Sequence, residues 1–279
     1  MRRQETILSR IDMDSSLVIK NGTLLLPNED LQQYDLLIEN GRIREFSQSL
    51  AAQQQIEAAG KYVLPGLIDL HTHGICTVNL QTSTLLDYAQ IEASFGTTTF
   101  YPTLFDIPMA MAEQMRRHRA ETDELRLLPQ VGGFRLESPY LVCTGAGLSK
   151  DLVHITPEIT NLLFESGGGH IKIWDVSPEL VGAPEVIELL SRQGIMCSIA
   201  HTHATTEHGQ AAVAAGARLF TRLIDVFELP DDMGTGVYPY GLVDYLLIED
   251  RVMCEIAAAM LLRVWRVSAS MPLGTTLPS

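Results

Sequence analysis

The run Leu64-Pro65-Gly66-Leu67-Ile68-Asp69-Leu70-His71-Thr72-His73-Gly74 is apolar and ends in two histidines one residue apart. Pro65-Gly66 marks where the chain turns into a strand. Strand side chains alternate faces, so His71 and His73 project to the same side. Two neutral imidazoles on one side of a strand end can grip a divalent metal, zinc or iron foremost. The competing reading is a pair of histidines that only hydrogen-bond nearby loops.

C-terminal to this strand, short apolar runs alternate with helix-like stretches. Candidate strands cover 63–70, 97–103, 129–136, 170–174, 195–200, 217–222 and 251–256, with helical patterns at 84–95, 108–120, 157–166, 183–193 and 205–215. Pro157 and Pro184 fall where a first helical turn accepts proline, and Gly194 and Gly216 where helices stop. Strand–helix alternation at this spacing predicts βα units around a parallel sheet. The expected fold is α/β, a TIM-like (β/α)₈ barrel with its last strand missing. A doubly wound open sheet is the alternative, and no G-x-G-x-x-G follows a strand to support a dinucleotide site. N-terminal to the histidines, residues 17–62 read as short strands. Asn21-Gly22 and Asn40-Gly41, each between apolar runs, predict two hairpin turns. The expected division is a small β unit over 1–62, a barrel over 63–258 and an atypical tail over 259–279.

At 279 residues, 46% hydrophobic and 19% charged, the chain is globular and long enough to bury a large core. Its net charge of −14 argues against broad contact with nucleic acid or an anionic membrane, but leaves an anionic small substrate open. Cys76, Cys143, Cys197 and Cys254 are widely spaced and form no C-x-x-C, which suits free thiols in a reducing compartment. Met1 to Asp14 lacks the apolar core of a secretory signal. No apolar run approaches the roughly 20 residues of a membrane helix. A soluble cytoplasmic protein is expected.

Polar groups at the C-terminal ends of barrel strands are the natural chemical positions. There the sequence offers His71 and His73, Glu137 after Val131–Leu136, His201 after Ile195–Ala200, and Arg222 after Ala217–Thr221. Three histidines and one carboxylate make a metal-ligand set. Glu137 alone also reads as an ion-paired loop residue; the shared placement favours the joint reading. His203, where a loop begins, reads equally as a substrate contact or a solvated side chain. His118, His154, His170 and His208 suggest no role.

Several segments together resemble the N-acetylglucosamine-6-phosphate deacetylase family of the amidohydrolase superfamily. They are Pro65 to Gly74, Gly96-Thr97-Thr98-Thr99 with Tyr101-Pro102-Thr103, Gly133-Phe134-Arg135-Leu136-Glu137-Ser138-Pro139-Tyr140, Ala200-His201-Thr202-His203-Ala204-Thr205, and Arg251 to Ala258. The resemblance implies a (β/α)₈ barrel with a small β-sandwich built from both chain ends. It implies a divalent metal held by Glu137 and His201, with His71 and His73 available for a second metal. It implies hydrolysis of the N-acetyl group of an amino-sugar phosphate and a homodimer; His203 and Arg222 are the candidate substrate contacts.

The chain also departs from that pattern. Arg222 stands where the family has a histidine ligand, and arginine stays protonated and cannot ligate. Arg135 replaces another family histidine, and Asp225 and Glu228 would repel a phosphate. Residues 259–279 contain no Asp or Glu and no counterpart of the segment carrying the family's catalytic aspartate. A frameshift or truncation near codon 258 is one expectation, a genuine divergent tail the other. Whether the chain is an enzyme is left open. It reads as a deacetylase, as an amidohydrolase for another amide or cyclic amide, or as a non-catalytic relative. In the last case Arg222 would pair with Glu137 and fill the metal's place.

Overall fold

The computed structural model describes residues 16–125, 130–144, 152–222 and 240–255. Two compact units divide between Gly66 and Leu67.

In the first unit the strands are β1 (Leu17–Leu25), β2 (Leu31–Glu39), β3 (Arg42–Ser47), β4 (Gln54–Glu57) and β5 (Tyr62–Val63). They form one sheet in the order β3-β2-β1-β4, with β5 also on β1. Asn40-Gly41 makes the expected hairpin turn: both residues have positive φ, 51° and 68°, which matches the twist of the flanking strands. Asn21-Gly22 does not. β1 runs straight through it, with a register shift against β2 between Ile19 and Gly22. The reason is Asp35 on β2, whose carboxylate accepts from the Asn21 N–H at 2.8 Å and from Lys20 Nζ. The side chain replaces the ladder bond that the irregularity removes, so the chain bulges instead of reversing. Gly22 is required there, because a Cβ would lie 2.5 Å from Val63 Cγ2.

The second unit begins with β6 (Leu67–Thr72), the short pair β7 (Gly74–Ile75) and β8 (Val78–Asn79), and α1 (Leu85–Ser94). It continues with β9 (Thr97–Leu104), α2 (Pro108–Leu125), β10 (Phe134–Leu136), α3 (Pro157–Gly167), β11 (Ile171–Val176), α4 (Ala183–Arg192) and β12 (Met196–Ile199). It closes with α5 (Thr206–Ala215), β13 (Leu219–Phe220), α6 (Leu242–Ile248) and β14 (Met253–Cys254). Thr84 caps α1 through the Asp87 N–H, and Thr156 caps α3 ahead of Pro157. His208 finds a local task, its Nδ1 lying 3.2 Å from the Thr205 N–H at the start of α5. The strand expected at 63–70 starts at Leu67, because Tyr62–Val63 pair with β1.

Seven strands form a parallel sheet in the order β14-β13-β12-β11-β10-β9-β6. Neighbouring strands lie about 4.8 Å apart, so six steps across a flat sheet would separate β6 from β14 by about 29 Å. Instead His71, on β6, lies 2.7 Å from Glu255, one residue past β14. The sheet therefore curls into a barrel-like arc, and the open doubly wound alternative is excluded. Buried side chains from the sheet and helices, among them Phe100, Phe134, Leu136, Trp174, Ile199 and Phe220, form one core. Trp174 stacks on Tyr140 with ring centroids 5.5 Å apart. The tail at 259–279 and the expected residues Asp225 and Glu228 lie outside the described residues. Among the described residues, no helix is long and apolar enough to cross a membrane.

Candidate active site

The alternation expected of β6 holds. Thr72 turns into the core, where its hydroxyl bonds that of Tyr88. His71 and His73 turn the other way, with their Nε2 atoms 3.2 Å apart. Each ring is anchored at its other nitrogen. His71 Nδ1 faces Glu255 Oε1 at 2.7 Å, and His73 Nδ1 faces the Thr103 carbonyl at 3.0 Å. With both rings held through Nδ1, the Nε2 atoms turn to the opposite side, where they donate to a carboxylate when protonated and offer a lone pair to a cation when not.

Glu137 lies there, buried, one residue beyond β10. Its Oε2 is 2.7 Å from His73 Nε2, and its Oε1 is 3.4 Å from His71 Nε2. Burial pushes the Glu137 carboxyl up, but the imidazoles of His201, His71 and His73 around it outweigh that and hold it well below the ordinary glutamate value. Burial likewise disfavours charge on His71, yet its bonds to Glu137 and Glu255 raise its value. Three donor groups thus converge: the ligand atoms of His71, His73 and Glu137 all lie within 4.8 Å of one another. The His71–His73 separation is close to the ~3.3 Å edge of a tetrahedron with zinc–nitrogen bonds of about 2.0 Å. This donor set fits a divalent cation.

His201 and Arg222 occupy the other side of Glu137. His201 Nε2 is 3.0 Å from Glu137 Oε1. Arg222 Nη2 lies 2.8 Å from Glu137 Oε1 and 2.8 Å from His201 Nε2, so its two hydrogens reach both acceptors. The salt bridge weighed from the sequence is therefore present. His201 and Arg222 each end a strand in the left-handed region, with φ of 47° and 49°. Such conformations cost a non-glycine residue about 1–3 kcal/mol and persist only where the surroundings fix them. For His201 the surroundings include the Ser177 hydroxyl, 2.8 and 2.9 Å from the carbonyls of His201 and Ala200. His203 is exposed, and its N–H donates to Glu179 Oε1 at 2.7 Å.

Beneath these groups lies a cluster to which the sequence assigns no function. Arg135 is fully buried on β10. Its Nη2 donates to Asp175 at 3.0 and 3.1 Å and to Thr221 Oγ1 at 2.7 Å, and its Nη1 donates to Glu255 Oε2 at 2.6 Å. Burial opposes its charge, but the Asp175 and Glu255 carboxylates more than offset that and raise its value. Glu255 is thereby held by Arg135 through one oxygen and holds His71 through the other. Burial pushes its carboxyl up, while the His71 bond and the Arg135 charge pull it below the ordinary value. Carboxylates that hold metal-binding imidazoles fix their tautomer and aim.

A parallel βα sheet carrying two histidines at the end of its first strand, a carboxylate on its third and a histidine after its fifth defines an amidohydrolase-type barrel. No family model matches the chain. It is 29% identical over 220 residues to N-acetylglucosamine-6-phosphate deacetylase of Lysinibacillus sphaericus, covering 75% of this chain and 56% of that protein. It is 28% identical over 256 residues to the Bacillus subtilis enzyme of the same name, covering 85% of this chain and 64% of that one. In structure it matches a variant of the Mycobacterium smegmatis deacetylase in complex with N-acetyl-D-glucosamine-6-phosphate, with a TM-score of 0.72 at 24% identity over 90% of this chain and 67% of that one. The chain is a divergent relative of the N-acetylglucosamine-6-phosphate deacetylases, and it spans 56% and 64% of the two curated relatives' lengths.

Proposed function

We propose that the protein is a metal-dependent amidohydrolase acting on the N-acetyl group of an amino-sugar phosphate. The observation that carries this reading is the convergence of His71 Nε2, His73 Nε2 and Glu137, with both rings tied back through Nδ1. The relatives' shared name points to the substrate class. Bound there, a divalent metal would polarise an amide carbonyl and acidify water. His71, His73 and Glu137 are the residues that hold it, with zinc or iron the metals we favour. Glu255 fixes the aim of His71, and the Thr103 carbonyl fixes that of His73. We assign His203, exposed where the loop after β12 begins, to polar groups of the substrate. Arg222 was expected there too, but it is engaged with Glu137 and His201.

The test is acetate release from N-acetylglucosamine 6-phosphate by protein stripped of metal and reloaded with zinc, iron(II), cobalt or manganese. Release is expected only with metal, and Glu137→Gln is expected to abolish both release and metal retention. Protein that retains metal yet leaves this substrate intact with every metal offered would overturn the substrate reading.

A further inference from the structure

The two oxygens of Glu137 serve different partners. Oε2 faces His73 at 2.7 Å, while Oε1, 3.4 Å from His71, lies closest to Arg222 and His201 at 2.8 and 3.0 Å. Two acceptors 3.0 Å apart, a carboxylate oxygen and an imidazole nitrogen, need a positive group beside them. Arg222 supplies it, with one Nη2 atom 2.8 Å from each. Unlike a protonated histidine or lysine, arginine cannot shed its charge to admit a cation. A metal bound by the same two acceptors would sit against a fixed positive charge. Arg222 would have to leave a buried carboxylate to make room.

We infer that the Arg222 guanidinium is a built-in cation between Glu137 and His201, so that the centre takes one divalent metal, on His71, His73 and the Oε2 side of Glu137. This inference rests on the metal centre proposed above. It assigns His201 to the arginine and not to the metal.

The test is the number of metal ions retained per chain, measured by elemental analysis and by titration with cobalt(II) followed in the visible spectrum. Wild type is expected to retain one. Arg222→His removes the fixed charge and adds a donor, and is expected to retain two. His201→Ala in the wild-type background is expected to leave the count at one, and in the Arg222→His background to return it from two to one. Two ions in wild type, or one in both wild type and Arg222→His, overturns the inference while leaving the proposed activity standing. No ion in wild type under excess zinc or cobalt overturns the metal centre itself and the inference with it. Should Arg222→His fail to fold, Arg222→Ala removes the charge without adding a donor. A second, weaker cobalt equivalent is then expected, and its absence counts against the inference.

Discussion

Two arginines stand in this barrel at strand positions where the resemblance leads one to look for histidine, and they have met opposite fates. Arg135 is fully enclosed, and its carboxylate partner Asp175 is equally buried. Arg222 keeps 24% of its side chain exposed and faces a carboxylate that three imidazoles also claim. Arg135 has a dedicated counter-charge in Asp175 and shares Glu255 with His71; Arg222 has only a shared one. The difference teaches that the same replacement can build a scaffold or occupy a site. Which it does depends on whether the surrounding sheet supplies a private carboxylate.

The largest expected effect comes from removing that private carboxylate. Asp175→Ala leaves Arg135 buried with Glu255 as its one remaining carboxylate beside the Thr221 hydroxyl and the Leu70 carbonyl. Breaking a buried ion pair from one side costs about 3–5 kcal/mol. In a unit of this size that lowers the melting temperature by about 10 °C. A change equivalent to less than about 1 kcal/mol would erase the contrast between the two arginines.

Glu255→Gln is expected to act on the site more than on the fold, because it keeps the shape but weakens the hold on His71. Metal affinity should drop about 10–100-fold, read by competition with a chelator dye. The same variant sharpens a pH effect. The folded state holds the Glu255 carboxyl below the ordinary glutamate value of 4.5, so its ionised form stabilises the fold above that value. That contribution is lost as pH falls through the depressed folded value. The variant's stability should therefore fall less steeply in acid than wild type's, and parallel acid limbs would remove Glu255 from the account.

The smallest effect on stability is expected at Arg222. Arg222 is partly open to solvent and Glu137 keeps three imidazoles beside it, so Arg222→Met should cost about 1–3 kcal/mol, less than Asp175→Ala. A loss as large as that of Asp175→Ala would show that Arg222 is scaffold after all.

Much of the fold was legible because it is local. The βα alternation, the same-side placement of His71 and His73 and the turn at Asn40-Gly41 follow from periods and from residues adjacent in sequence. The failure at Asn21-Gly22 is instructive: the dipeptide is the same, but Asp35, fourteen residues on, decides between a bulge and a turn. The candidate site was legible to the same depth. Strand ends name its members, yet the division of Glu137 between two sets of partners does not follow from spacing. The Arg135 cluster was hardest, because its counter-charges lie 40 and 120 residues away. One signal was available: Arg135 sits two residues before Glu137 in an otherwise apolar strand, on the same face. A charge in such a place needs buried partners, and the aspartate of Ile171-Lys172-Ile173-Trp174-Asp175-Val176 was a fitting one.

The bond between His71 and Glu255 spans 184 positions of the chain. Loop-closure entropy makes contacts of that reach late events in folding. The first strand must wait, its histidine unaimed, until the seventh has docked. On a ribosome, the metal pocket would therefore mature only after nearly the whole barrel had emerged. A ligand that prefers the finished pocket would act as a latch on the last step of assembly.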